Sequence, residues 1–249
     1  FMNSISPVIL PSVEEMGKAA ADYGASILRE MLLTKETVNL VVATGASQFT
    51  VLSNLITQPD IDWSRVHGFH LDEYVGVSDN HPASFCRYLR KRFVEQVPLA
   101  SFEYIHGDCL NPDDECSRLS DLLKGRILDL AFVGIGENGH LAFNDPPADF
   151  ETDNSYLVVE LDEACRRQQM GEGWFDTLEE VPRQAISMSI RQIMKIENIV
   201  CSVPDLRKAE AVELALDGPV TPDLPASMLQ RHQKVKIFLD QQAASGLSL

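Results

Sequence analysis

The chain of 249 residues is 45% hydrophobic and 23% charged, too apolar for intrinsic disorder and long enough to bury a large core. Its 37 Asp and Glu against 21 Lys and Arg give a net charge of −16, which opposes binding to nucleic acid or an anionic membrane but still allows a small anion in a locally cationic site. No apolar run of about 18 residues predicts a membrane span, no leader pattern is visible at the start, and five cysteines, an odd number with no Cys-x-x-Cys pair, predict free thiols in the cytoplasm.

In chain order, Val13, Met16, Ala20, Tyr23, Ile27 and Met31 form a helical stripe over 11–33. Residues 38–43 are short, β-branched and nearly all apolar, which suits a strand buried on both faces. Thr44-Gly45-Ala46-Ser47 then turns the chain, and Phe49, Leu52 and Ile56 resume helical spacing. Residues 66–71 read as a second strand. Asn80 and Pro82 are placed to open a helix carrying Phe85, Leu89 and Phe93. Further strands are predicted at 128–133, 156–160, 185–190, 199–203 and 235–239, and helices near 113–124, 162–170 and 205–216. There is no repeat or low-complexity linker, so 1–249 reads as one domain. Strands alternating with helices predict a mainly parallel sheet covered on both faces. Such sheets bind ligands at the carboxyl ends of their strands, so chemistry belongs in the turns that follow them.

Four such turns stand out. Thr44–Ser47 offers a glycine, a hydroxyl and free N–H groups at a helix start, suited to a phosphate or simply to a tight turn. His70-Leu71-Asp72-Glu73-Tyr74 delivers two carboxylates at the end of an apolar strand. They read either as site residues or as a helix cap or solvated loop, and alternation along extended chain points them apart. Gly134-Ile135-Gly136-Glu137-Asn138-Gly139 imitates a dinucleotide fingerprint, but Pro146-Pro147 would break the helix that fingerprint requires. Its glycines instead let backbone approach a ligand, with His140 and Asp145 as an acid/base pair or as an ordinary loop-orienting histidine. Asp205-Leu206-Arg207-Lys208 puts cations at a helix start, an unfavourable place unless an anion binds there or the lysine is solvated. His106, Cys109 and Cys116 fit no zinc spacing, and no metal site is expected.

Taken together, these segments resemble the glucosamine-6-phosphate deaminase (isomerase) family. The resemblance is carried by Asp72-Glu73-Tyr74-Val75-Gly76 with His81-Pro82-x-Ser84, by residues 134–146, by 181–188 and by Pro225-Ala226-Ser227-x-Leu229-Gln230-x-His232. It covers about residues 35–240. It implies a three-layer α/β sandwich of the deaminase, ribose-phosphate isomerase and CoA-transferase type, with a lid near 161–181. It also implies a small-molecule sugar phosphate as substrate, conversion of an amino-sugar 6-phosphate and water to a ketose 6-phosphate and ammonia, and no cofactor. By position, Asp72 resembles the C2 base and His140 the ring-opening residue, supported by Asn138 and Asp145. Thr44, Gly45, Ala46, Ser47, Gly136 and Lys208 fall at substrate- and phosphate-contact positions. Family members usually carry Glu at Asp145, a small residue and Pro at Ala46 and Gln48, and a phosphate-binding Arg at Gly173, so Arg166 or Arg167 is expected to substitute for that arginine. Residues 148–155 hold three carboxylates and no cation, which opposes an anionic effector. The alternatives are a 6-phosphogluconolactonase, disfavoured by Tyr74 and by Phe143-Asn144-Asp145, and a non-catalytic sugar-phosphate sensor, disfavoured by the presence of both Asp72 and His140. A homo-oligomer is compatible with the sequence.

Overall fold

The computed structural model describes residues 5–248; residues 1–4 and 249, at the two ends of the predicted domain, lie outside the description. Seven strands form one parallel sheet. In chain order they are β1 (Val8–Leu10), β2 (Val38–Val42), β3 (Val66–His70), β5 (Ser101–Glu103), β6 (Leu130–Val133), β9 (Asn198–Val203) and β10 (Val235–Asp240), and across the sheet they run β1-β10-β9-β6-β2-β3-β5.

Alternation along each strand divides the core into two layers. Leu40, Val42, Leu130, Phe132, Val200 and Phe238 face one side. There they meet α1 (Val13–Thr34) and α2 (Phe49–Leu55). Ser12 caps α1 by accepting the Glu15 N–H, and Glu14 and Glu15 complement the helix dipole. Val41, Ala131, Val133, Ile199, Cys201, Ile237 and Leu239 face the other side. That layer holds α4 (Pro112–Leu123), α6 (Ile190–Ile193) and α7 (Ala209–Asp217). The predicted three-layer α/β sandwich is therefore present, and no helix among the described residues is long and apolar enough to cross a membrane.

Several features depart from the sequence reading, among them β1 and β5, which have no predicted counterpart, and two elements placed differently. The strands over 156–160 and 185–190 do not join the main sheet. As β7 (Tyr156–Glu160) and β8 (Gln184–Met188) they pair antiparallel with β4 (Asp72–Tyr74) in a separate three-stranded sheet. The three-residue β4 has no apolar alternation by which a sequence could reveal it. The helix after residue 80 starts later than predicted: α3 (Phe85–Leu89) is capped by Ser84, whose hydroxyl accepts the Arg87 N–H, and Asn80 plays no capping role. The Asn80 cap with Pro82 in the first turn gives way to a serine whose side chain reaches a free N–H.

From β2 the chain proceeds to β3 on one side, and β6 later pairs on the other side. The turns after β2 and β6 therefore diverge, leaving a crevice at the carboxyl edge of the sheet.

Candidate active site

A cavity of about 240 Å³ occupies this crevice. Its walls come from the turns after β2, β3, β6 and β9, together with α5 (Glu163–Gly171). Thr44, Gly45, Ala46 and Ser47 form one end. Gly45 has φ +93°, a left-handed conformation that a side chain would strain. Ala46–Gln48 then winds into a short 3₁₀ turn before α2. The buried Gln48 points beneath this turn and donates to Ser202 Oγ at 3.1 Å and the Val133 carbonyl at 3.3 Å. A residue that departs from the family pattern thus ties the turn to β6 and β9.

Lys208 reaches the same end from the turn after β9. It is buried, and its ammonium makes no hydrogen bond or ion pair among the described residues. Burial pushes its ammonium below the ordinary lysine value, and the charges of Glu172 and Glu137 oppose that push. An unpaired buried cation beside a turn rich in N–H groups is a place for an anion.

β3 and β4 deliver Asp72 and Glu73, both buried, and alternation sends them in opposite directions as expected. Asp72 lines the cavity. Burial, and secondarily the charge of Glu73, pushes its carboxyl up to about 8. Glu73 turns away and receives the N–H groups of Tyr74, Phe85 and Cys86 at 2.9, 3.1 and 2.7 Å and the Ser84 hydroxyl at 3.0 Å. It anchors the start of α3. Of the two carboxylates, Asp72 lines the cavity and Glu73 takes the helix-cap alternative.

Beyond β6 no helix forms, which removes the dinucleotide reading. Gly136 lines the cavity, and a Cβ there would come within 2.1–2.4 Å of the His140 ring. His140 Nδ1 lies 2.7 Å from Asn138 Oδ1 and 3.3 Å from Asp145 Oδ1. Asn138 also accepts the His140 N–H through Oδ1 and donates through Nδ2 to Asp145 and Asp162. Two acceptors at Nδ1 place the proton there and leave Nε2 as the basic nitrogen. The shorter Asp145 still reaches the histidine. Its other oxygen accepts the Asp162 N–H at 2.8 Å, and Asp162 in turn caps α5.

Arg166 and Arg167 are not brought to the cavity, contrary to expectation. The Arg166 guanidinium donates to the carbonyls of Val181 and Leu178, and Arg167 pairs with Glu163 at 2.6 Å in solvent. The inward face of α5 instead carries Cys165, Gln168 and Gln169. Gln168, Gln169, Glu172 and Arg207 line the cavity and were missed as site residues. The spacing 165, 168, 169, 172 is a helical face. It is mostly polar, so a search for apolar periodicity passes over it.

Two trios, His140–Asp145–Cys165 and His70–Glu73–Cys86, have ligand-type atoms within 4.8 Å of one another. Their histidine Nδ1 atoms and carboxylates are already engaged in the hydrogen bonds above or, for His70, by the Ile105 N–H. This donor set fits hydrogen-bonded clusters better than a metal centre.

A family model for glucosamine-6-phosphate isomerases and 6-phosphogluconolactonase matches residues 11–238. A glucosamine-6-phosphate deaminase of Oenococcus oeni is 36% identical over 83% of this chain and 86% of its own length. Another, of an Exiguobacterium species, is 37% identical over 88% of this chain and 85% of its own. Among solved structures, a monomeric glucosamine-6-phosphate deaminase superposes with a TM-score of 0.88 at 29% identity, covering 97% of this chain and all of that one. A 6-phosphogluconolactonase from Shewanella baltica gives 0.78 at 19% identity, covering 96% and 99%, a likeness of fold alone.

Proposed function

From the premise that the chain belongs to the family of glucosamine-6-phosphate isomerases and 6-phosphogluconolactonases, we propose that it converts glucosamine 6-phosphate and water to fructose 6-phosphate and ammonia. The observation that carries this reading is one cavity holding a buried carboxylate, a histidine of defined tautomer and an unpaired lysine.

The phosphate sits on the Thr44–Ser47 turn and Lys208, fixing a small substrate in register. His140 Nε2 takes the proton from the C1 hydroxyl and gives it to the ring oxygen, opening the sugar. Asn138 and Asp145 hold the ring of His140 and stabilise its transient charge. Asp72 then removes the C2 proton while the substrate's own ammonium passes a proton to O1, leaving an enolamine. Returning that proton to C1 moves the double bond to C2=N. Water adds at C2, and ammonia leaves as the C2–N bond breaks. Every step is a proton transfer or an addition or loss at carbon, within the reach of these side chains. With its carboxyl pushed up to about 8 by burial, Asp72 is a strong enough base, and the substrate's own ammonium favours its ionised form.

We read residues 1–249 as one domain with 161–181 as its lid, and the five free thiols favour the cytoplasm. A homo-oligomer is compatible with this reading. The deciding assay is ammonia release from glucosamine 6-phosphate. Hydrolysis of 6-phosphogluconolactone without ammonia release from the amino sugar would replace this reading with the lactonase one, and binding without turnover would leave a sensor.

A further inference from the structure

Two carboxylates without a role in the proposed reaction line the cavity; Asp205 is paired with Arg207, and Glu172 has no cationic partner among the described residues. Glu172 lines the cavity with Thr44, Gly45, Ser47, Arg207 and Lys208. Its Oε2 is 3.9 Å from where a side chain on Gly45 would begin. A dianionic phosphate on that turn would share about 240 Å³ with this charge, and like charges so close in a partly desolvated site repel strongly.

Among the described residues the Glu172 carboxylate is held only by neutral donors, Gln168 Nε2 at 2.9 Å and Trp174 Nε1 at 3.3 Å. Arg207 pairs instead with Asp205 and Glu137. The charge of Glu172 is still the leading influence that opposes burial at Lys208. The backbone on either side is Gly171 and Gly173. A Cβ at either would meet nothing within 4 Å, and Gly173 has φ +84°. Packing does not require glycine at either position, so what the pair supplies is conformational freedom around Glu172. The Gln168 side chain that holds Glu172 also accepts the Glu137 N–H at 2.9 Å, linking it to the turn that carries His140.

We infer that Glu172 is a displaceable counter-charge, which balances Lys208 in the empty enzyme and is expelled from the cavity by the phosphate of the substrate. This rests on the reading of that end as a phosphate site. A free anion must drive the expulsion alone, whereas a sugar phosphate adds contacts to the sugar. The device therefore selects sugar phosphates over inorganic phosphate, and the return of Glu172 helps the product leave.

The test is calorimetric titration of the full chain with inorganic phosphate. Glu172→Gln removes the charge at nearly constant shape and should tighten phosphate binding on the order of tenfold. Glu179→Gln removes a charge from the same segment outside the cavity and should change nothing. Phosphate should also alter the emission of Trp174, which loses its carboxylate partner, and Trp174→Phe should abolish that change. Unchanged or weaker phosphate binding by Glu172→Gln overturns the inference. So does a raised KM for glucosamine 6-phosphate with unaltered phosphate affinity, which would make Glu172 a ligand of the sugar. Lys208→Ala separates the two levels. If phosphate binding ignores Lys208, the phosphate-site reading itself fails; if binding needs Lys208 but ignores Glu172, only the counter-charge fails.

Discussion

The cavity side and the helix side of β4 hold neighbouring carboxylates that differ by one methylene and are both buried. Asp72 meets an open cavity and receives no side-chain hydrogen bond among the described residues, so burial and the neighbouring Glu73 charge push its carboxyl up to about 8. Glu73 meets the start of α3 and gathers four donors. Burial pushes Glu73 up as well, but the N–H groups of Cys86, Phe85 and Tyr74 pull against it. The contrast teaches that burial alone does not make a carboxylate a base. A base is buried and left without partners, and the protein tolerates that cost where substrate will come.

The strongest way to break the comparison is to neutralise each side in turn. Asp72→Asn should lower deamination by at least ~10², the usual contribution of a positioned base, together with solvent-deuterium exchange at C2. Glu73→Gln, when folded, should retain that exchange. If both variants lose it equally, the distinction between the two faces fails. At the ring-opening end, His140→Gln should lower turnover of the cyclic sugar by about 10² and that of an open-chain analogue far less. Equal losses on both substrates would give His140 a general structural role.

Lys208→Ala should weaken every sugar phosphate by a similar factor, about 1.5–3 kcal/mol, the scale of a hydrogen bond to a charged group. Affinities that vary with the sugar would put Lys208 elsewhere in the site. Glu73→Gln should cost about 1–3 kcal/mol of stability by weakening the helix anchor, measured by urea unfolding.

Stability against pH sharpens the contrast further. The folded pKa of Asp72 lies above its ordinary 3.8, so between 3.8 and about 8 the folded state binds the extra proton. Its contribution to stability is then present at low pH and is lost as pH rises toward about 8. Asp72→Asn should thus melt a few degrees above the parent at pH 9, with the gap closing by pH 4. A gap that is independent of pH would contradict the uncompensated burial of Asp72. The smallest effect is expected at Arg167→Ala, within about 0.5 kcal/mol in phosphate affinity, because its guanidinium pairs with Glu163 in solvent.

The sequence by itself determined the α/β layering, because apolar β-branched runs separated by helical stripes have few other ways to bury their faces. It also pointed to the turns after strands, which line the cavity, and determined that Asp72 and Glu73 diverge, because the two-residue period of extended chain is local. Only the tertiary structure decided which of the two faces the cavity. That depends on β4 leaving the main sheet to pair with β8, a contact more than 100 residues away in sequence. Tertiary structure also turned Arg166 and Arg167 outward and Gln168, Gln169 and Glu172 inward. The rotation of α5 is set by Asp162 capping it against Asp145 and by burial of Cys165. A polar helix face shows no hydrophobic preference by which the sequence alone could choose its direction, so long-range packing chose it.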